Sequence, residues 1–349
     1  MVQFAARMNQ FNDTDFFLVA VNNEFSYRGR HWQDNLGITD NIKYYSGEGS
    51  VIQWIEQVIN QINPDIVFTG INRGPVFNLL LRKKKEHGYK FGKWNEPVTT
   101  IGLDRLMLPI RNNIYKSRWR KEVDFLLAID DRAVKLYRDF VSGPEKTFFF
   151  PYYEESTRAS EPKKLDGPVM FLFSGRLFRY HNIKGLAKAV TLLYKKYPGK
   201  FELIVSASGR DKKYFDKVES KFPLGKFISY DTDFEKWEDR LRPFKSSHVL
   251  VLPSYRSGWG LVVNEALNLG LPVITTWNVG AARYLVEHMI NGMIIKPTVK
   301  EIFNSLEYFI VHPDEITRMS ANALDVHKRY SIDIGANRLH GIFDAILRT

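Results

Sequence analysis

From residue 50 onward the sequence alternates short apolar runs with amphipathic helical patterns, and it does so on both sides of one polar break. That alternation constrains the fold more than any other feature. Strands separated by helices return to a sheet in parallel, and the helices then cover both faces of it. In the first half, SVIQWIEQVINQI (50–62) puts Val51, Ile55, Val58, Ile59 and Ile62 on one helical face. Ser50 is placed to cap this helix and Asn63-Pro64 to stop it. DIVFTG then reads as a strand, PVFNLLLRKKKEHG as a helix ended by Gly88, and PVTTIGLD and VDFLLAID as strands. RAVKLYRDFV is a helix and KTFFFPYY a closing strand.

Residues 154–168 (EESTRASEPKKLDGP) are polar, aperiodic and carry two prolines, the composition of a linker. A second alternation follows, from strand VMFLFSG through HVLVLPS and PVITTW to further helices. The expectation is an α/β protein of two Rossmann-like domains facing a cleft. The first domain spans 1–153, a linker 154–168 and the second domain 169–330, with a C-terminal helix at 331–349 that crosses back to the first domain. The N-terminal region breaks the pattern. VQFAARMNQF reads as a helix and TDFFLVAV as the first clear strand, where a doubly wound domain opens on a strand and a glycine-rich turn. Two readings stay open: a first domain that lacks its opening strand, or a sequence that lacks its true start.

One stretch carries chemistry. In SGWGLVVNEALNLGLPVITT (257–276), Gly258 and Gly260 flank Trp259 just before an apolar helix with a single acid, Glu265. The first amides of a helix have no intrahelical acceptor and sit at its positive end, so a phosphate binds there if side chains do not block it. The amides of Leu261 and Val262 fit that role, and a carboxylate one turn in can accept hydrogen bonds from two ribose hydroxyls. Upstream, FSGRLFRYHNIKG puts Arg176 at the end of a strand and Lys184 at the start of a helix, with Arg179 between them. Ligands of open α/β sheets sit beyond the carboxyl ends of the strands, so these cations belong at the same edge as the glycines. Taken singly, a glycine turn serving only packing and solvated cations explain the same residues.

Taken together, GRLFRYHNIKG, LPSYRSGWGLVVNEALNLGLPV and NVGAARYLVEHMINGMIIKP resemble the second domain of a family 4 glycosyltransferase of the GT-B fold, in order and spacing over 169–345. The first domain resembles it in pattern only. The resemblance implies a retaining transfer from a nucleotide-sugar co-substrate with no metal or other cofactor. It implies that Arg176 and Lys184 bind the diphosphate, that Glu265 holds the ribose, and that Arg179, Ser257, Gly258, Trp259, Gly260, Leu261 and Val262 line the donor site. The acceptor is then a glycan or a lipid-linked chain, in polysaccharide or lipopolysaccharide assembly at the cell surface. Three departures stand out. Ser257 replaces the family's first glutamate, the spacing from Arg176 to Lys184 is longer than usual, and Tyr284 stands near the place of another acid.

Other features narrow the partners. The chain has no cysteine, which excludes disulfides and thiolate metal sites. Its net charge of +11 favours anionic partners. No apolar run reaches the length of a membrane span and MVQFAARMNQ has no signal-peptide core, so the expected location is cytoplasmic, with peripheral attachment to the inner face of a membrane as an extension. LRKKKEHGYKFGKW and RNNIYKSRWRKE interleave basic residues with Tyr89, Trp94, Tyr115 and Trp119. That pattern suits an anionic membrane surface, a nucleic acid, or two solvated helix faces. Given the resemblance, no nucleic-acid partner is expected. Asp-x-Asp in YDTDF reads as a helix cap at Asp231 or Asp233 rather than a metal pair. Asp104, ending the strand VTTIGLD, is the candidate acceptor contact. A non-catalytic nucleotide-sugar-binding or scaffold protein of the same fold is the main alternative, and a basic nucleic-acid-binding protein a further one.

Overall fold

The structure, a computed structural model, describes residues 2–21, 41–45, 49–97, 108–154, 158–220, 227–232 and 237–349. The chain divides into two units. Unit 1 is Met1–Tyr153 with Ile332–Thr349, and unit 2 is Glu154–Ser331.

Unit 1 contains α1 (Val2–Met8), β1 (Leu18–Val21), β2 (Ile42–Tyr45), α2 (Val51–Ile62), β3 (Ile66–Thr69), α3 (Pro75–His87), β4 (Lys90–Asn95), α4 (Leu108–Glu122), β5 (Phe125–Ala128), α5 (Asp131–Tyr137) and β6 (Thr147–Phe149). β1 and β2 pair in parallel, and a parallel four-stranded sheet runs β3-β4-β5-β6. β5 is buried on both faces, and successive side chains serve two cores. Leu126 and Ala128 join Ile55, Phe77, Phe91 and Trp119. Phe125 and Leu127 join Phe4, Met8, Phe16 and Phe150. α2 begins where Ser50 accepts the Gln53 amide at 3.5 Å and ends at Asn63, which adopts a left-handed φ of 48°. Its Ile55, Val58 and Ile59 are buried, as the apolar spacing requires.

The basic stretches of unit 1 are only in part the open cationic faces that their composition suggests. KFGKWN, full of lysine and glycine, is strand β4. Tyr89 is buried with its hydroxyl donating to the Leu80 carbonyl at 2.6 Å, and Trp119 is 1% exposed. Lys83 is buried between Glu56 and Glu86, at 3.0 and 2.6 Å. Lys84 pairs with Asp124 at 2.8 Å, and Arg118 donates to Asn78 while lying over the Phe77 ring. Tyr89, Trp119 and Lys83 are thus taken up by packing, while Lys85, Arg118, Arg120 and Lys121 remain exposed. Asp104 and the strand VTTIGLD lie outside the described residues.

Lys93 is the extreme case. Its side chain is fully buried, its ammonium donates to the Ile71 carbonyl, and it sits 5.2 Å from the Phe77 ring and 5.5 Å from the Trp119 ring. Burial pulls its pKa down from 10.5 to about 7. Between those values the unfolded chain binds more protons than the folded one, so stability rises with pH across that window. The denaturation midpoint of unit 1 should therefore climb between about pH 7 and 9, and Lys93→Met should flatten the climb. A slope unaltered by Lys93→Met would assign the proton uptake to another group.

Unit 2 contains β7 (Val169–Arg176), α6 (Ile183–Lys196), β8 (Phe201–Ser208), α7 (Lys213–Glu219), β9 (Ile228–Tyr230), α8 (Arg242–Lys245), β10 (Val249–Leu252), α9 (Val262–Asn268), β11 (Val273–Thr275), α10 (Ala282–Leu285), β12 (Gly292–Ile294), α11 (Val299–Val311), α12 (Asp314–Leu324) and α13 (His327–Tyr330). Its sheet is parallel with the order β12-β11-β10-β7-β8-β9. Counted from β7 this is the doubly wound order 3-2-1-4-5-6, which reverses between β7 and β10. Residues 154–168, read as a linker from composition, contribute hydrogen bonds to unit 2. The Ala159 amide donates to Asn268 O at 3.0 Å, and the Lys163 amide donates to Ser320 Oγ at 2.7 Å. Lys163 Nζ caps the Phe244 and Lys245 carbonyls at 3.0 and 2.8 Å. α14 (Ile332–Leu347) follows unit 2 and packs in unit 1, where Ala336, Leu339, Ile342 and Ile346 complete the core around Phe125.

Candidate functional site

The point where strand order reverses is where two loops diverge at the carboxyl edge of a sheet and leave a crevice. In unit 2 these are the loops after β7 and β10, and every donor-site residue expected from the sequence falls on them or on the helices they start. Arg176 is the last residue of β7 and is exposed. Gly175 before it has φ 142°, and a Cβ there would meet nothing within 4 Å, so the backbone faces open space. The extra residues between Arg176 and Lys184 form a 3-10 turn, Arg179–His181, that ends on a left-handed Asn182 with φ 58°. Asn182 is buried and donates to the Pro297 carbonyl at 3.0 Å. Lys184 stands exposed in the first turn of α6, and Arg179 is exposed on the turn.

The two loops are bonded to each other. The Tyr255 amide donates to Tyr180 O at 2.8 Å, and His181 Nδ1 lies 2.9 Å from Ser254 Oγ. Burial, and then the neighbouring Arg176, hold His181 below the usual imidazole range, so the ring favours its neutral form. These contacts join the segment of Arg176 and Lys184 to the start of the glycine stretch.

Within that stretch a third loop takes part. Ser257 N donates to Asn278 O at 3.1 Å, Gly280 N to Gly258 O at 2.8 Å and Ala281 N to Trp259 O at 2.8 Å. NVGAA therefore runs alongside SGW. Gly260 turns the chain into α9 with φ 83°, and a Cβ there would lie 2.7 Å from Val279 Cγ1. Both the backbone angle and the close approach demand glycine. Leu261 and Val262 open the helix, where amides have no intrahelical acceptor.

Trp259 differs from expectation. Its side chain is 0% exposed, its indole N–H donates to Asn264 Oδ1 at 2.8 Å, and it stacks on Tyr284 at 5.6 Å. It supports the turn from beneath and offers a ligand no side-chain surface. The Asp231 carboxylate is forked onto Arg242, with one contact at 3.1 Å, and Asp233 with the helix start that either was expected to cap lies outside the described residues.

Glu265 is on α9 and 4% exposed. Its Oε1 lies 3.5 Å from Arg240 Nε, and Arg240 Nη2 lies 3.6 Å from Glu154 Oε1. Sequence reasoning missed Arg240 and Glu154, because neither has a fixed spacing to Glu265. The only cue was that a lone acid in an apolar helix needs a counter-charge.

A parallel six-stranded sheet with cations and bare amides at its reversal point is the arrangement with which doubly wound α/β units hold anionic ligands. Residues 154–326 match the family described as "Glycosyl transferases group 1", and through this region the chain is similar to members of that family. An uncharacterized glycosyltransferase of Haemophilus influenzae is 27% identical over 160 residues, 46% of this chain and 44% of that protein. Poly(glycerol-phosphate) alpha-glucosyltransferase of Bacillus subtilis is 24% identical over 312 residues, 83% of this chain and 44% of that one. The chain thus spans less than half the length of both. Among solved structures, Anabaena HepE in complex with UDP-glucose superposes with a TM-score of 0.68 at 12% identity, covering 87% of this chain and 86% of that one. That likeness is one of fold, the GT-B arrangement of Rossmann-like domains.

Proposed function

We propose that the chain transfers a sugar from a nucleotide-sugar donor to a lipid-linked or polysaccharide acceptor, with retention of configuration, in the assembly of cell-surface glycans. The observation that carries this reading is the junction at the β7–β10 reversal, where the Tyr180–Tyr255 and His181–Ser254 contacts join the Arg176 and Lys184 segment to the glycine turn before α9. In this reading the α9 amides and the two cations hold the diphosphate, and Glu265 accepts the ribose hydroxyls. Negative charge grows on the diphosphate as the sugar departs, and fixed positive charge stabilises it more in the transition state than in the bound donor. The cations supply that stabilisation without a metal. Binding of UDP-glucose by HepE supports a donor of this class. The poly(glycerol-phosphate) relative supports a polymeric acceptor.

No helix among the described residues is long and apolar enough to cross a membrane. In our reading the enzyme works at the cytoplasmic face on an acceptor presented there. Ser257 in place of an acid favours one second reading, a protein of this fold that binds the nucleotide sugar and does not transfer it.

Calorimetry against a panel of nucleotide sugars tests the donor site. Glu265→Ala should weaken the best of them by about 1.5–3 kcal/mol, the worth of hydrogen bonds to a charged group. Unchanged affinity in a folded variant would remove the ribose role. Release of free sugar, or its transfer to a glycan, separates the enzyme from the silent binder.

A further inference from the structure

Glu265 presents a physical problem that its ribose role does not solve. A carboxylate that is 4% exposed has given up most of its hydration and needs a compensating charge nearby. A tight fork from an arginine would supply that charge, but would occupy the oxygens that ribose hydroxyls need.

The structure shows an intermediate arrangement. Arg240 approaches Glu265 at 3.5 Å and Glu154 at 3.6 Å, both longer than a strong charged hydrogen bond. The three side chains are 16%, 5% and 15% exposed, so solvent screens them little. Each partner is anchored. Arg240 lies in the 3-10 turn Trp237–Leu241, next to the buried Leu241 and to α8, whose last carbonyls are capped by Lys163. The Glu154 carbonyl accepts from Asn268 Nδ2 at 3.4 Å, and Asn268 stands on α9 one turn beyond Glu265.

We propose that Arg240 is a positioning residue for the donor site: shared between Glu154 and Glu265, it offsets the charge of the Glu265 carboxylate and orients it without occupying its oxygens. Glu154 is the competitor that prevents Arg240 from closing onto Glu265. The inference rests on the ribose role proposed above and adds the means by which a buried acid can perform it.

The test is the preference for ribose over deoxyribose. UDP, ADP and GDP are each titrated against their 2′-deoxy forms, on the full chain and on Arg240→Ala, Arg240→Lys and Glu154→Gln. Wild type should prefer the ribose form of its best nucleotide by about tenfold, the size of one hydrogen bond to a charged group. Arg240→Ala should lose most of that preference while its affinity for the 2′-deoxy form stays within about twofold. Arg240→Lys should restore part of it by keeping the charge. Glu154→Gln should also lower the preference, because Arg240 is then free to fork onto Glu265. A merely structural arginine would lower both affinities together. If wild type shows the preference and Arg240→Ala keeps it in full, Arg240 has no positioning role. If Arg240→Ala does not fold, full preference in Glu154→Gln and an affinity loss in Arg240→Lys equal for both sugars overturn the proposal. Absence of any preference in wild type defeats the ribose reading itself, and this inference with it.

Discussion

Trp259→Ala should lower the stability of unit 2 by about 3–5 kcal/mol, the usual cost of deleting a buried large aromatic. The indole is fully enclosed, it stacks on Tyr284, and its removal also strands Asn264, which is itself 4% exposed. The cavity would open directly beneath the Gly258–Gly260 turn, so donor affinity should fall as well, although no atom of the indole faces a ligand. Trp259→Phe separates the contributions. It keeps an aromatic ring beside Tyr284 but loses the hydrogen bond and part of the buried ring, so a smaller loss is expected, about 1–3 kcal/mol. Urea unfolding followed by a probe confined to unit 2 measures both. A loss below about 1 kcal/mol in the alanine variant would mean that the site relaxes around the gap.

Removal of both Arg176 and Lys184 should be the most damaging change for turnover. Deleting a single preorganised charge-stabilising donor costs about 10²–10³-fold in other enzymes, so the double alanine variant should lose at least about a hundredfold in kcat. Affinity for a bare nucleoside should hardly change, since it has no diphosphate to lose contacts. Both side chains are exposed at the sheet edge, so folding should be preserved. Arg179 is the control, because it is exposed on the 3-10 turn between them. If Arg179→Ala abolishes turnover while Arg176→Ala is silent, the turn hands the phosphate role to Arg179.

Unit 2 was largely legible in the sequence because its strands are continuous apolar runs and its turns are marked by glycine. VMFLFSG and HVLVLPS are buried strands that could not be anything else in a parallel sheet. Unit 1 was less legible where local composition and burial disagree. KFGKWN has the composition of a surface stretch, yet it is β4, paired on both sides between β3 and β5. Lys93 is tolerated there because aromatic rings and a backbone carbonyl receive it, partners that lie elsewhere in the sequence. Trp259 misled for another reason. The family resemblance put it in the donor lining, and the Asn264 acceptor five residues on satisfies the indole N–H in its buried place. Arg240 and Glu154 were invisible, since ion pairing between separate segments leaves no periodic trace. For Glu265 and Gly260 the sequence sufficed to locate them, because helix starts have local rules.

α14 has a consequence for how the chain is made. Unit 1 is begun by α1 and completed by α14, with all of Glu154–Ser331 between them. Synthesis delivers Phe4, Phe125 and Phe150 before Glu154–Ser331, but Ile332, Ala336, Leu339, Ile342 and Ile346, which share their core, only after it. Unit 1 is thus finished only after Glu154–Ser331 has been made, and the part of this core that α14 covers stays open while the other unit is translated. The entropy of closing so long a loop is modest, about 0.6 kcal/mol for each doubling of length. Once Glu154–Ser331 has folded the connection no longer behaves as a free coil, and the returning helix searches a smaller volume. The interval before that return is when the nascent protein is most exposed to aggregation, and a chaperone that shields the Phe125 face would act during that interval.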